Sequence, residues 1–520
     1  MEQAKEPGSA AAVLGWLVLA ALAPGAAHLR AGRRRTGLVL ISCYAAMLLA
    51  VLAVVLTSDL GTLLGSATQN SWITAVMIGT GLLGAAWFTL IVHSFVVLRP
   101  GRLGPAGQAL TGTLAGLLAI VVVVPFGYAA HSANTYRQAL GHIFQPPELA
   151  DQPPAPEPEP EDPWAGRERV NILLLGGDAD DNRTGVRTDS MHLASIDVRS
   201  GNTVLFSLPR NLEDVRFRPG TPMARRFPGG FDLPKDAGGG SSDLLNSVWE
   251  YADAHPELFG GKQHQGPKVL MDTIGYTLGL DVDWYALVNM WGFARLIDAI
   301  GGITITVEQD VVFGKYNEGL VKAGTRRLKG ADAMWYARSR TFSDDYTRMR
   351  RQRCVIGALL DQADPATILT RFNQVARATK NLIRTDVPQP MLQHLVPLAL
   401  KVKNAEVTSL QFVPPLINTG YPDWDEIRSL AQKAIRESSR PEGPVAASAS
   451  PSASPAPASP STSPSISPSI SPSISPSISP SISPSASPSK TPAPKKKSAK
   501  QDGDDPVQGL TQGCGPSARS

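Results

Sequence analysis

Arginine and aspartate stand at the ends of three predicted strands in the middle of the chain. Asp178 follows the apolar run VNILLLGG, Arg187 and Asp189 open a second strand, and Arg210 follows a third. Positions two apart share one face of an extended chain, so Arg187 and Asp189 are predicted to lie side by side. The planar guanidinium group carries fixed donors that match phosphate oxygens. Arginines that converge from separate strands therefore suggest a phosphate or pyrophosphate site.

The densest charged segment lies downstream and has the sequence YARSRTFSDDYTRMRRQRC. Arg338 and Arg340 are two apart on a piece predicted to be extended. Arg348, Arg351 and Gln352 stand at positions i, i+3 and i+4, which predicts a single face of a helix. This segment could therefore add further guanidinium groups to the same anion site.

Two carboxylates beside these arginines suggest a hard cation, Mg²⁺ or Mn²⁺. Magnesium takes one or two protein carboxylates and completes its shell with water and substrate phosphate oxygens. Such a metal and several arginines would together stabilise the charge of a transferring phosphoryl group. The sequence contains no P-loop, kinase motif, HExxH or GxSxG. From the residues alone, an equally open alternative is that the arginines are solvated or paired with local acids.

Strand and helix patterns alternate around these residues. The alternation predicts an α/β domain with a mixed-sheet sandwich over residues 167–440. Strands are predicted at residues 170–176, 185–197, 204–211 and 303–307, and helices at residues 266–280 and 291–300.

The first 135 residues contain apolar runs long enough to cross a bilayer, which takes about 20 helical residues. Residues 37–57 and 108–130 carry no charge, and residues 72–98 hold only His93. These runs predict three transmembrane helices. Residues 10–29 are a fourth candidate, broken near its end by Pro24-Gly25, and a full span, a re-entrant hairpin and an interfacial helix all stay open for it.

Basic residues set the predicted orientation in the membrane. Arg30 and residues 33–35 precede the apolar run 37–57, and Arg99 and Arg102 separate the run 72–98 from the run 108–130. Loops rich in arginine stay in the cytoplasm, so both are predicted to lie there. The loop near Asp59 has no lysine or arginine and is predicted to face outward. Everything after about residue 131 is therefore predicted to lie outside the cell, as part of a multi-pass plasma-membrane protein.

Two Pro-rich segments flank the predicted domain. Residues 136–166 form a Pro/Glu-rich linker whose extended spacer is expected to hold the domain off the membrane. Residues 441–520 contain repeated Ser-Ile-Ser-Pro units, which cannot bury enough apolar surface to fold. They predict a disordered tail, with a cell-wall tether and a linker without a partner as equally open roles.

Composition excludes one class of partner. Lys and Arg number 49 against 45 Asp and Glu, a surplus of +4, which is too small to indicate a nucleic-acid binder. Cys43, Cys354 and Cys514 lie far apart in segments of different character, so the sequence predicts neither a disulfide framework nor a cysteine-based metal site.

A series of motifs in this order resembles the LytR-CpsA-Psr family of bacterial cell-wall polymer ligases. The motifs are NILLLGGD, GVRTD, SLPRN, WGFARLIDAIGGITITV, and LKGADAMWYARSR with DYTRMRRQ. Their order and spacing fit that family over most of residues 167–430. The resemblance implies an α/β sandwich whose hydrophobic groove takes the polyprenyl tail of a lipid carrier while arginines hold its pyrophosphate.

The resemblance also implies a reaction and its residues. A glycopolymer with its proximal phosphate would pass from a membrane lipid, polyprenyl pyrophosphate, to a hydroxyl of peptidoglycan, releasing polyprenyl phosphate. Asp178 and Asp189 match the magnesium-associated acids, and Asp189 is also a candidate acceptor of the hydroxyl proton. The matching pyrophosphate-binding residues are Arg187, Arg210, Arg338, Arg340, Arg348 and Gln352. Of these, Arg187, Arg210, Arg338 and Arg340 are, with Asp189, the predicted catalytic residues.

Two other functions stay open at this point. Water in place of the sugar hydroxyl would make the protein a polyprenyl-pyrophosphate pyrophosphatase. A wall-binding or regulatory membrane protein could instead keep the fold without catalysis. Asn211, Leu244, Asn289 and Ser343 depart from the family's usual residues, and these departures bear on acceptor handling and proton transfer.

Overall fold

The structure is a computed structural model that describes most of the chain apart from the Ser/Pro-rich tract. The described residues are 10–98, 103–144, 158–159, 161–178, 186–233, 243–363, 383–440, 506–512 and 514, without the side chains of His142 and Asp178. Several residues used in the sequence-based predictions lie outside this set, namely Arg99, Arg102, Gly185, most of the Pro/Glu spacer and residues 441–505.

Six helices lie in the described residues of the N-terminal region, 10–98 and 103–144. They are α1 (Ala10–Leu22), α2 (Ala26–Arg30), α3 (Arg34–Thr57), α4 (Leu60–Ser66), α5 (Asn70–Val97) and α6 (Pro105–Phe144). By length and composition, α3, α5 and α6 could each cross a membrane, as predicted. The fourth candidate is a broken helix, because α1 has 13 residues and a turn at Gly25 separates it from α2.

Helix α6 corrects the predicted start of the linker. It continues without interruption to Phe144, so residues 136–144 are helical rather than part of a Pro/Glu-rich spacer. No proline lies between Pro125 and Pro146. The helix therefore meets no proline in residues 136–144 that would end it.

The described part of the domain contains eleven strands, seven of which form one mixed sheet. The strands are β1 (Arg169–Asp178), β2 (Arg187–Asp197), β3 (Thr203–Leu208), β4 (Trp284–Asn289), β5 (Ile303–Val307), β6 (Val311–Phe313), β7 (Gly319–Val321), β8 (Gly324–Leu328), β9 (Ile383–Thr385), β10 (Val407–Gln411) and β11 (Val507–Gly509). The sheet order is β11-β10-β3-β2-β1-β4-β9. Strand β1 runs antiparallel to β2 and parallel to β4, so the predicted mixed sheet is confirmed.

Helices cover both faces of this sheet. They are α7 (Pro222–Arg226), α8 (Val248–Ala254), α9 (Gly266–Leu278), α10 (Met290–Ala299), α11 (Gly330–Arg338), α12 (Asp345–Gln362), α13 (Leu392–Asn404) and α14 (Trp424–Ser438), with 3₁₀ turns at Leu245–Ser247, Pro256–Phe259 and Gln389–Met391. Alternate strand residues point to opposite faces. Leu173 packs in a cluster with Ile274 of α9, whereas the neighbouring Leu174 packs in a cluster with Leu398 of α13. The result is a three-layer α/β sandwich.

The last described residues correct two predictions at once. Strand β11 pairs antiparallel with β10, Leu510 is buried, and Cys514 forms a disulfide with Cys354 of α12 across 160 residues of sequence. The tail predicted for residues 441–520 is therefore wrong for residues 506–512 and 514. The absence of a disulfide was predicted from sequence separation, which does not limit the spatial separation of a chain that returns to its own domain.

Candidate functional site

A β-bulge presents the first acid of the site. Gly177 pairs with Thr188 and Gly176 pairs with Ser190, so Asp189 is an extra residue in β2 without a partner in β1. Bulges of this kind redirect a side chain and are frequent beside active sites. The carboxylate of Asp189 accepts a hydrogen bond from Arg210, with Nη1 and Oδ1 2.7 Å apart.

Three arginines from separate elements converge on one further carboxylate, that of Asp345 at the start of α12. Arg210, just beyond β3, places Nε 3.3 Å from Oδ1 of Asp345, and Arg340, from the loop after α11, places Nη1 3.7 Å from the same oxygen. Arg348, one helical turn along α12, pairs with Oδ2 at 3.1 Å. Its Nη2 also donates to the backbone carbonyl of Asp189 at 2.9 Å, which joins the helix to the bulge.

An apolar pocket of about 250 Å³ opens beside these charges. It lies between the sheet and helices α10, α11 and α12, and most of its wall is aliphatic or aromatic. Its polar wall residues include Asp189, His192, Arg338, Arg348 and Gln352. We refer to Asp189, Arg210, Arg338, Arg340, Asp345, Arg348 and Gln352 together as the arginine site. A pocket of this kind can hold an apolar chain while the arginine site binds an anion at the end of that chain.

The charges of the arginine site favour an anion. Four guanidinium groups against two carboxylates leave a net charge of +2. Burial is the main cause that lowers the pKa of Arg348, and the nearby Arg210 and Arg340 lower it further. Burial, with a contribution from Arg348, lowers the pKa of His192 to about 4. His192 is therefore neutral at physiological pH, and its Nδ1 shares a hydrogen bond with Ser207 Oγ at 2.8 Å.

Arg187 and Arg338 lie at the edges of the site. The Nε of Arg187 pairs with Glu250 of α8 at 3.2 Å, so Arg187 and Asp189 do not contact a common partner. Arg338 lines the pocket, with its guanidinium 5.4 Å from the centre of the Trp335 ring. The prediction of one extended piece for Arg338 and Arg340 is wrong, because Arg338 is the last residue of α11.

Arg351 does not share the pocket face of α12 with Arg348 and Gln352. It is buried and donates to the carbonyl oxygens of Tyr336 and Ser339 and to Ser343 Oγ. Carbonyls in the last turn of a helix have no partner within that helix. Arg351 satisfies those at the end of α11 and therefore holds the loop that carries Arg340.

Asp345 is a member of the arginine site that the motif spacing did not single out. It was quoted only as part of the DYTRMRRQ motif, although it binds three arginines of the site. One local signal was present, because Asp345 precedes Arg348 by three residues and such pairs meet on one side of a helix. The contacts with Arg210 and Arg340 depend on the tertiary fold and had no sequence signal.

The carboxylates of the site suit a hard cation only in part. Among the described side chains no cluster of three Asp, Glu, His or Cys could hold a metal. Asp345 Oδ1 is buried and accepts no hydrogen bond from a described residue, although it is ion-paired. The backbone of Asp178 lies opposite Arg187 on the neighbouring strand. One or two carboxylates with substrate oxygens is the pattern that magnesium adopts beside phosphates.

A family model describes just over half of the chain. The model of the LytR_cpsA_psr family matches residues 150–421. These residues include every strand of the sheet except β11 and the whole arginine site.

Curated relatives agree with that match. A protein of Oceanobacillus iheyensis named polyisoprenyl-teichoic acid–peptidoglycan teichoic acid transferase TagU is 28% identical over 260 residues, which are 50% of this chain and 71% of the relative. A Staphylococcus aureus protein named regulatory protein MsrR is 26% identical over 224 residues, which are 42% of this chain and 57% of the relative.

Two solved structures are also similar to part of the chain. Bacillus subtilis TagV has 21% sequence identity and a TM-score of 0.36, and the alignment covers 52% of this chain and 97% of that one. TagT bound to LIIa-WTA has 18% identity and a TM-score of 0.37, with coverage of 52% and 91%.

Proposed function

The chain belongs to the LytR-CpsA-Psr family, and from that premise we propose that it is a membrane-anchored phosphotransferase. It transfers a glycopolymer from a polyprenyl-pyrophosphate carrier to a hydroxyl of peptidoglycan. The relatives named as teichoic acid transferases support a wall polymer as the cargo. The one observation that carries the proposal is the convergence of Arg210, Arg340 and Arg348 on Asp345 at an apolar pocket.

The pocket and the arginine site divide the lipid carrier between them. The polyprenyl chain packs in the pocket, where Phe293, Leu296 and Leu359 are among the apolar wall residues. The pyrophosphate binds to the four guanidinium groups of the site. Their positive charge exceeds the negative charge of the two aspartates. The four residues are Arg210, Arg338, Arg340 and Arg348. Arg340 is half exposed, so it can turn toward the phosphates at little cost in contacts.

The proposed reaction is an attack of the sugar hydroxyl on the phosphorus that carries the polymer. The bond from this phosphorus to the bridging oxygen breaks, and polyprenyl phosphate leaves with that oxygen. The arginines neutralise the charge that develops on the leaving phosphate, which is the main requirement of phosphoryl transfer. Asp189 is the more exposed of the two acids, so we assign to it the acceptance of the hydroxyl proton.

The proposal includes a divalent cation, Mg²⁺ or Mn²⁺. Asp189 and Asp178 would hold it together with phosphate oxygens, and it would supply further positive charge beside the pyrophosphate.

We further propose a multi-pass membrane protein whose domain lies outside the cell. Helices α3, α5 and α6 are the spans, with the arginine-rich loops on the cytoplasmic side. The Cys354–Cys514 disulfide supports this location, because disulfides persist in oxidising compartments outside the cytoplasm.

Reconstitution of the full-length protein tests the function directly. Nanodiscs would contain the protein and a polyprenyl-pyrophosphate-linked oligosaccharide, with peptidoglycan fragments and Mg²⁺ added. We expect equal amounts of glycan attached to peptidoglycan and of polyprenyl phosphate released. Arg350→Ala is the control for variants of the arginine site. Arg350 lies on α12, as Arg348 does, but pairs with Glu308 away from the site.

Each alternative function has its own result in this assay. Pyrophosphate cleavage without attached glycan would identify a pyrophosphatase. Binding of the lipid without turnover, with or without the metal, would identify a non-catalytic wall or regulatory protein. Either result would reject the transferase.

A further inference from the structure

The short helix α4, between the spans α3 and α5, packs against α13 of the domain at close range. A Cβ atom added at Gly65 would lie 2.6 Å from the carbonyl oxygen of Gln393, closer than real atoms approach. At Gly61 an added Cβ would lie 3.4 Å from Cβ of Pro397 and 3.5 Å from a methyl group of Leu400. Two glycines four residues apart thus let the two backbones approach, as small residues do between membrane helices.

Hydrogen bonds that are largely buried flank this contact. Gln389 donates from Nε2 to the backbone carbonyl of Thr68 at 3.3 Å, and both residues are less than 10% exposed. Asn70 donates to Oε1 of Gln389 at 3.4 Å, and the amide groups of Gln69 and Gln393 are also hydrogen-bonded. Buried polar groups lose free energy when their partners are removed. These contacts therefore hold α4 in one position on the domain, whereas a purely apolar contact would let it slide.

The helix that receives α4 also supports the wall of the pocket. Leu395 and Leu398 of α13 belong to the same hydrophobic cluster as Ile356 and Leu360 of α12. Ile356 also lines the pocket, and α12 carries Arg348. Contacts therefore run from α4 to α13, from α13 to α12, and from α12 to the pocket and the arginine site.

The chain between α6 and β1 tethers the domain to the helices, so the α4–α13 contact is a second attachment. Because of this tether, the effective concentration of the domain near α4 is high. A small interface is then enough to keep the domain docked. The segment 58–69 also faces the same side of the membrane as the domain in the orientation derived from the basic loops.

We propose that α4 is a docking helix that holds the domain in one position over the outer leaflet. It thereby presents the mouth of the pocket to lipid carriers that lie in the bilayer. This inference rests on the proposed function for its substrate. Gly61, Gly65, Gln389 and Gln393 are positioning residues that act through α13 and touch no substrate.

The first test concerns the docking itself and needs no activity. A Gln69→Cys, Gln393→Cys pair, at two positions whose native side chains touch across the contact, is introduced into the full-length protein with Cys43→Ser, so that no other free cysteine remains. A short bis-thiol crosslinker added to membranes is expected to join the two cysteines in most molecules, as read by mass spectrometry of the linked peptides. The control pair is Gln69→Cys with Asn404→Cys, at the far end of α13. Equal yields from the two pairs would overturn the docking.

The second test concerns the role of docking in catalysis. Gly65→Leu in nanodiscs is expected to raise the KM for a long-chain carrier in the bilayer by about tenfold, with kcat changed less than twofold. With a short, water-soluble prenyl pyrophosphate, kcat/KM should stay within twofold of wild type, which also shows that the domain is folded. Gly79→Leu is the matched control, because a side chain at Gly79 meets nothing within 4 Å.

The outcomes separate the two proposals. Equal losses on both substrates, or no loss on either, would overturn the positioning role. If the wild-type protein turns over neither substrate, the proposed function fails and the role in lipid delivery fails with it. The crosslinking result still decides whether α4 docks.

Discussion

Helix α12 carries arginine on both of its sides, and the two sides differ in what the guanidinium groups contact. On the pocket side, Arg348 pairs with the carboxylate of Asp345, an acid that Arg210 and Arg340 also approach. On the opposite side, Arg353 donates to the side-chain amide oxygen of Gln508 and to the carbonyl of Gln512. Carbonyl and amide oxygens are neutral acceptors. The second arrangement thus joins two pieces of the fold, whereas the first concentrates positive charge beside an opening.

The comparison teaches how to separate structural from functional arginines. Arg348, Arg351 and Arg353 are all buried, and burial lowers the pKa of each. Burial and pKa therefore do not distinguish them. Of the three, Arg348 is the one that pairs with an acid that Arg210 and Arg340 also approach, and it does so beside the apolar pocket.

Removal of a guanidinium group from the pocket side should give the largest effect. We expect Arg340→Ala to lower kcat for glycan transfer about 100- to 1000-fold, the usual loss for a group that stabilises transition-state charge. The melting temperature should stay within about 2 °C, because Arg340 is half exposed and its ion pair is weak. Transfer kinetics and thermal unfolding check both parts. Full activity in this variant would contradict the assignment of the pocket side.

Loss of the disulfide, on the opposite side of α12, should lower stability strongly and activity only slightly. We expect Cys354→Ser with Cys514→Ser to lower the free energy of unfolding of the domain by about 2–5 kcal/mol, since the disulfide closes a loop of 160 residues. Transfer activity at 20 °C should fall less than threefold. Denaturant unfolding with and without a reductant provides the measurement, and an unaltered midpoint would show that the disulfide contributes nothing.

A buried acid outside the arginine site extends the comparison to carboxylates. Burial raises the pKa of Asp386 to about 6, despite a hydrogen bond from the Tyr285 N–H, which Asp386 accepts. The folded state binds this proton more tightly than the unfolded state, so the stabilisation is complete below about pH 4 and is lost as the pH rises through about 6. We expect Asp386→Asn, which keeps the acceptor oxygen, to stabilise the protein by about 1–3 kcal/mol at pH 7.5 and not at pH 4. Urea unfolding at the two pH values measures this, and a pH-independent difference would contradict the cause.

The smallest effect is expected at Arg187, which lies at the edge of the site. Its ion pair with Glu250 is exposed, so Arg187→Ala should lower kcat/KM by about tenfold if the guanidinium reaches the pyrophosphate only in the complex. Glu250→Ala removes the same ion pair and should leave kcat/KM within twofold. Equal losses in the two variants would show that the ion pair itself supports the site.

Local sequence patterns predicted the elements but not all of the contacts. The apolar runs located β1, β2, β3 and β5 and the helices α9 and α10, because periodicity reflects burial on one face or on both. The arginines at strand ends were found because several strands end at one edge of a sheet. Asp345 as their shared partner, the bulge at Asp189 and the Cys354–Cys514 bond were missed. Each of these depends on a pairing between segments far apart in the chain, for which residue spacing carries no information.

The two outermost strands of the sheet are the shortest ones in it. Strands β9 and β11 have three residues each, whereas their neighbours β4 and β10 have six and five. A sheet that ended at β10 would expose a longer row of unpaired amides and carbonyls, which is a template for adding strands from another molecule. The return of the C-terminus to the sheet thus protects against self-aggregation, which is a particular hazard where many copies crowd together on one bilayer.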